Sequence, residues 1–594
     1  MKGSVKTIAL SALLSASIGL AGINAANAHD KRFEYLPGDF HQHTYYTDGS
    51  HVFAVQQEEC DYYLEWWANS EHGGRRTQDG ENHKWDDPEY HPGLEILGDY
   101  SESGGHQYMY RWQSLRDFVY PDIKNTRALY PDKTVISGLE WNVPGHEHCS
   151  TAIHQYDDTA TALSEFEFRF DKSDPDTSRA DEDSLLGGKM DMNKDSSSAA
   201  DALVAVAWMQ DLYESGLADA WVVPAHIERA RAFVIEDFRN WQDAGPDVVH
   251  GFEGAPGHQA SGTRGFGTDA VGGGTYGGSG SYSAIVGGLW DAMSAEGRKW
   301  FNYASSDDHS NWRQGGSDFW PGEYQKNYTL IDTNADDQIQ AVFDGIRSGN
   351  SWHVMGDLID ELEFTAKGKK NTAMMGETLK VRKGELVTIK IKVHDPNTPN
   401  HCPLDMDNPS LAQVGISQPL SMPELDHVDL IAGTITGNVP ATNMDDYEAT
   451  DYGTDAAVIK TFNRHGGKNK NGYHTYVMQI RADKSMFIRL RGTNLPAGVP
   501  YETDADGNPL RDSDADGASA NIYDLLDKEM LANSVFDWVE DVSTTSKLDE
   551  AAEAFADLWF YSNPIYIEVE EGCHMHHGHH HRHHQGHHQH FARR

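Results

Sequence analysis

The chain has 594 residues and a formal net charge of -44, from 92 acidic and 48 basic side chains. That length exceeds one ordinary hydrophobic core, so two domains are expected. Such a charge repels nucleic acid and anionic membranes and excludes both as large-surface partners. An anionic small molecule can bind only where metal ions or arginines reverse the local field.

Lys2 and Lys6 precede an apolar run over residues 8–20, and Ala26-Asn27-Ala28 offers a small-x-small cleavage site. Residues 1–28 therefore read as a secretory signal peptide, the run being too short to span a bilayer. A mature chain in a bacterial periplasm or exterior is expected, with no membrane contact after cleavage. Cys60, Cys149, Cys402 and Cys573 suit two disulfides there. Domain order suggests Cys60–Cys149 and Cys402–Cys573, with three pairings open.

From about residue 34 to 355 short apolar strands alternate with helical stretches, a pattern that implies a parallel sheet with its chemistry at the strands' C-terminal ends. Gly38-Asp39-Phe40-His41-Gln42-His43-Thr44 comes first, followed by Thr47-Asp48-Gly49. Histidines two apart share a side only on extended chain, so both imidazoles can meet one metal. Asn69-Ser70-Glu71-His72 is next, then the predicted strand 134–140 with Gly138-Leu139-Glu140, and Gly145-His146-Glu147-His148. Helices are predicted at 198–214 and 235–244. The strand 221–226 ends on His226, the strand 247–253 on Glu253, and Ser305-Ser306-Asp307-Asp308-His309 closes the series. Stretches 171–198 and 262–288, rich in small and polar residues, read as exposed or lid-like loops.

From about residue 358 strands follow one another without helices, at 377–393, 427–435, 473–481, 486–491 and 559–569, in the manner of a β-sandwich. A helical insertion interrupts them near 520–557. Asp512-Ser513-Asp514-Ala515-Asp516-Gly517 resembles the start of a calcium loop, but Tyr523 stands where a bidentate Glu is needed, so a solvated acidic turn is expected. Residues 573–594 hold eleven histidines among Gly, Gln and Arg and read as a disordered metal-binding tail.

The ordered motifs HxH…TDG, EH, GxE, H and SDxH resemble those of the PHP (polymerase and histidinol phosphatase) superfamily, and more narrowly its large exported members with a C-terminal β-domain. The resemblance implies a distorted (β/α)7 barrel over 29–355, a β-sandwich-like domain over 356–572, and two or three divalent metals, Zn, Mn or Fe. By resemblance, His41, His43, Glu140 and Asp307 hold one metal. Glu140 bridges to a second with His148 and His226, while Asp48, His72 and His309 hold a third. Two departures stand out. Glu71 replaces the usual Asp of the second motif and is expected to orient a ligand, and Ile227 replaces the usual Pro after His226. His146 competes with His148.

The function implied is an exported metal-dependent hydrolase, a phosphoesterase whose metal-bridging hydroxide attacks phosphorus. Arg229 is the expected grip on non-reacting oxygens, with Arg264 and Arg313 behind it. His258 is the expected proton donor to the leaving group, and Glu253 a support for a ligand. The alternatives are hydrolysis of an amide, lactone or carboxylic ester, and a periplasmic metal-binding or metal-buffering protein.

Overall fold

The computed structural model describes residues 32–570 apart from 54–61, 63, 263, 266–273, 438–452, 513–530, 532 and 536–546. The leader, the His-rich tail, Cys60 and Cys573 lie outside the described residues, and so do both expected disulfides. Cys149 and Cys402 are buried and not bonded to each other.

The described chain is a mixed α/β structure. Phe33–Asp39 lies between Gln325–Asp332, antiparallel, and Trp66–Ala68, parallel, and Thr134–Ile136 continues the parallel edge. Gly138–Asn142, His148–Gln155 and Ala218–Pro224 make a separate antiparallel sheet, and Gly251–Ala255 pairs in parallel with Phe301–Ala304. Among the described residues these strands do not close into a barrel. Single bridges link one sheet to the next instead: His72 to Glu140, Val222 to Val249, and Gln42 to Asp308. Linked in this way, the short sheets form a circuit joined at single points.

One cause is visible at Gly138. A strand was expected to run unbroken over 134–140, but it breaks between Ile136 and Gly138. A Cβ on Gly138 would lie 2.5 Å from the Asn69 carbonyl oxygen and 2.8 Å from that of Thr151. Only glycine lets the chain pass so close to two backbones, and there it leaves one sheet for another, carrying Glu140 with it.

The helices form where their caps dictate. Ser198 accepts the Asp201 N–H at the start of Ala199–Ser215, and Gly216 ends that helix with a φ of 68°. Ile235–Ala244 buries Ile235, Phe238 and Trp241 on one face.

The second half is β-rich, as expected. In Glu385–His394 the side chains of Val387, Ile389, Ile391 and Val393 are buried while Thr388, Lys390 and Lys392 are not, the period of a strand covered on one face. This strand is central to a five-stranded antiparallel sheet. The division expected near residue 355 falls within a shared sheet: Ser351–Met355 pairs with Trp559–Ser562, which pairs with Met486–Thr493. Eleven strands from both halves join this sheet.

The first insertion is largely exposed, as expected, but anchored by buried carboxylates, whereas the described part of the second is buried. Asp171, Asp174 and Asp176 in the first are buried, with Lys194 Nζ 3.6 Å from Asp174. In the described part of the second, Thr275 and Ser279 are buried. Asp512 is no solvated turn residue either, since it accepts hydrogen bonds from Thr275 Oγ1 at 2.5 Å and from the Gly277 N–H at 2.8 Å.

Candidate metal centre

The donors gather at the strand ends and at the single bridges. Past the end of Phe33–Asp39 the chain bends at Phe40, whose ring packs into the core while the rings of His41 and His43 come together. Phe40 is fully buried against Trp66 and Trp221, with ring centroids 5.2 and 5.4 Å away, which anchors the segment. His41 Nε2 and His43 Nε2 lie 3.1 Å apart. Asp307 Oδ1 sits 3.0 Å from the first and 3.2 Å from the second.

Glu140 is the hub. Its Oε1 is 2.8 Å from His148 Nδ1, 3.1 Å from His226 Nε2 and 3.3 Å from His41 Nε2. Its Oε2 is 2.7 Å from His72 Nδ1 and 3.5 Å from His43 Nε2. Asp48 faces His43 at 3.6 Å, His72 at 3.4 Å and His309 at 3.7 Å. All nine expected ligands fall into overlapping groups whose donor atoms lie within 4.8 Å of one another. His226 joins them only through a group with Glu147 and His148, and His258 forms one more group with Asp307 and His309.

The donor set fits divalent cations. His72 Nδ1, His148 Nδ1, Glu140 Oε2 and Asp307 Oδ1 are buried, and despite these short approaches none makes an aligned hydrogen bond. Lone pairs that converge without bonding each other are aimed at common points between them. An unsatisfied buried polar atom costs roughly 1–3 kcal/mol, and several in one place call for a cation. Imidazole and carboxylate together suit Zn, Mn or Fe.

Electrostatics run the same way. Burial alone would raise the Glu140 carboxyl, but the imidazoles of His148, His72 and His41 outweigh it and hold it well below its usual range. Burial, with His309 and His72 nearby, lowers His43 to about 3, so its imidazole is neutral and its lone pair available. Burial also disfavours the charged form of His72, yet Glu140 and Asp48 raise it to about 9, so protons and cations compete for the same nitrogen. The backbone is strained here: His226, His258 and Asp307 have φ of 30°, 58° and 45°, where residues other than glycine are rare.

The remaining expected residues divide. Glu253 accepts hydrogen bonds from Ser150 Oγ at 2.6 Å and Ser305 Oγ at 2.7 Å and lies 3.3 Å from His41 Nδ1, orienting that ring. Glu71 faces away from the donors. It accepts from the Thr44 N–H at 2.9 Å, from Asn69 at 3.0 Å and from the Thr44 and Thr47 hydroxyls, which ties down the turn that carries Asp48. His146 points elsewhere, 3.1 Å from Asp237 and stacked on Phe233, so the competition with His148 resolves for His148.

His258 Nε2 lies 3.2 Å from Asp307, while its Nδ1 meets Asp318. Burial alone would lower its pKa, but Asp318 and Asp307 raise it to about 10. Arg229 sits on a short turn after His226, its N–H donating to the His226 carbonyl at 2.9 Å. Arg264 is corrected. Its guanidinium is fully buried, bound to Asp557 and donating to Tyr324 Oη at 2.7 Å, so it cannot grip a substrate. Arg313 is likewise turned onto Glu323 at 2.6 Å.

Sequence reading missed Glu147, Asp318 and the pair Arg75-Arg76. Asp318 has no sequence signal, being 60 residues from His258. The arginines had one, since they follow His72 after two glycines. A cavity of about 410 Å³ opens on Asp48, His72 and His148 and is walled by Arg75, Arg76 and Tyr108. Larger depressions of about 510 and 820 Å³ lie elsewhere, away from these donors, and the chemistry favours the smaller one. Neither family models nor curated proteins match this chain.

Proposed function

We propose that this chain is an exported metal-dependent hydrolase of the PHP type, acting on phosphoric esters. The observation that carries the reading is Glu140, whose two oxygens face five imidazoles belonging to four overlapping donor groups. A carboxylate so shared suits two or three cations held close together. His41, His43, Glu140 and Asp307 would hold one, His148 and His226 with Glu140 a second, and Asp48, His72 and His309 a third. Bound there, the cations would supply Lewis acidity and a water acidic enough to attack at neutral pH.

The chain's own residues supply the rest. Glu253 fixes the His41 ring, Glu71 fixes the turn that bears Asp48, and the strained backbone at His226 and Asp307 sets the donor directions. His258, held between Asp318 and Asp307, stands where it can hand a proton to a leaving oxygen. No helix among the described residues is long and apolar enough to cross a membrane. A metal-buffering role fits less well, because ions for release are not usually held by buried, strained donors.

The test is metal content and hydrolysis of generic phosphomonoester and phosphodiester substrates by the mature chain, with Asp307→Ala beside it. Two or three tightly held metals with turnover lost in Asp307→Ala is the expected result. Tight metals with turnover only on amides, lactones or carboxylic esters would overturn the phosphoesterase reading and keep the centre. A protein that holds no metal outside its tail would overturn both.

A further inference from the structure

The cavity above the donors has a cationic wall that neither the metal ligands nor the fold requires. Arg76 places Nη2 3.3 Å from Asp48 Oδ2, with both side chains well exposed, at 38% and 41%. Arg75 stands beside it, its guanidinium over the Tyr108 ring 4.8 Å from the centroid. Stacking of this kind fixes the plane of a guanidinium and leaves its N–H groups free.

The segment that presents them is firmly held. Arg75–Arg76 pairs with Met109–Tyr110. The Gly74 N–H donates to Glu167 at 2.7 Å. The Gly74 carbonyl accepts the Arg111 N–H at 2.8 Å, and Arg111 Nε donates to the His72 carbonyl at 2.9 Å. Two arginines are thus tied to the same turn as the donor His72.

Charge decides what they face. With a net charge of -44 the surface repels anions, so two guanidinium groups at this mouth reverse the field where a substrate enters. The exposed pair with Asp48 contributes little to stability, and Asp48 already faces three imidazoles. A carboxylate that engages a cation has less charge left for Arg76, whose N–H groups are then free for an oxyanion.

We infer that Arg76, backed by Arg75 on Tyr108, is the clamp for a phosphate-type oxyanion of a small substrate and selects anionic over neutral substrates. The inference rests on the donor cluster being the reaction centre. The clamp takes the place of Arg264 and Arg313, which stood behind Arg229 as the expected grip.

The experiment uses inorganic phosphate as the probe, titrated calorimetrically into the metal-loaded mature chain and into Arg76→Ala, Arg76→Lys and Arg75→Ala, with metal content measured on each. Binding is read without turnover, so a failed hydrolase assay leaves this test intact. Phosphate affinity is expected to fall about 10- to 100-fold in Arg76→Ala, the loss of a charge-assisted bidentate contact. Arg76→Lys should recover only part of it and Arg75→Ala lose less, with metal content unchanged in all three. Equal affinity in the parent chain and Arg76→Ala, or no phosphate binding by the parent, would overturn the inference. Loss of a metal from Arg76→Ala would also overturn it, by assigning Arg76 to the support of Asp48.

Discussion

Glu140 and the two histidines of Gly145-His146-Glu147-His148 show how far single residues were legible. Histidine i, i+2 spacing alone cannot choose between His146 and His148. In the structure the choice follows from position: His148 begins the strand paired with Gly138–Asn142, directly opposite Asn142 and beside Glu140, whereas His146 lies in the turn before it and meets Asp237. His148→Ala is therefore expected to lose at least one metal and at least about 100-fold in turnover. His146→Ala should keep its metals and turnover and lose about 1–3 kcal/mol of stability through its ion pair and ring stacking. Metal analysis and thermal unfolding of both variants check this, and a metal-depleted His146→Ala would reverse the assignment.

Among the elements, the turn after His72 is the most tightly specified. Gly73 leaves no room for a side chain, because a Cβ there would run into the Asp171 carboxylate. That carboxylate cannot easily yield, since it accepts the Asn142 N–H at 2.9 Å and the Ser173 N–H at 2.8 Å. Gly73→Ala is expected to destabilise by about 1–3 kcal/mol and to disturb the placement of His72 and Arg76. A melting temperature within a degree of the parent's would count against this close packing. Insertion 171–198 thus has a structural duty that its Asp- and Ser-rich composition hid: its carboxylates brace the segment beneath the cavity.

For the whole molecule, the consequence lies in the shared sheet. Residues 32–355 alone would expose the edge of Ser351–Met355 and leave Arg264 without Asp557 and Asp512. A fragment ending at 355 is expected to be insoluble or to unfold without a cooperative transition; a sharp, reversible melt would show that the halves fold independently. Arg264 is also surrounded by more buried carboxylates than it can neutralise, among them Glu502, Asp512, Glu553 and Asp557. Burial pushes the Glu502 carboxyl up to about 7, with Asp512 adding to the effect. Its folded-state pKa is thus above its unfolded one, and the native state binds the extra proton between about pH 4.5 and 7. Stability from this group therefore falls as pH rises through that window. Glu502→Gln should melt like the parent near pH 4.5 and above it by pH 8. A difference that does not change with pH would show that Glu502 ionises normally.

The sequence by itself determined the alternating strands and helices of the first half, the β-rich second half and the set of donors. Period-two alternation and capping residues act over a few residues and need no partner, while the donors, spread from His41 to His309, are those that the resemblance of the ordered motifs implies. Only the tertiary structure decided that the ring of strands is interrupted, that the two halves share a sheet, and that Arg264 and Arg313 point inward while Arg75 and Arg76 face the cavity. Those outcomes depend on contacts between residues far apart in the chain: Gly138 between two foreign backbones, Asp557 beside an arginine from the other half, and Asp318 against His258. No local pattern encodes such contacts, because what settles them is the burial of charge and the close approach of distant backbones.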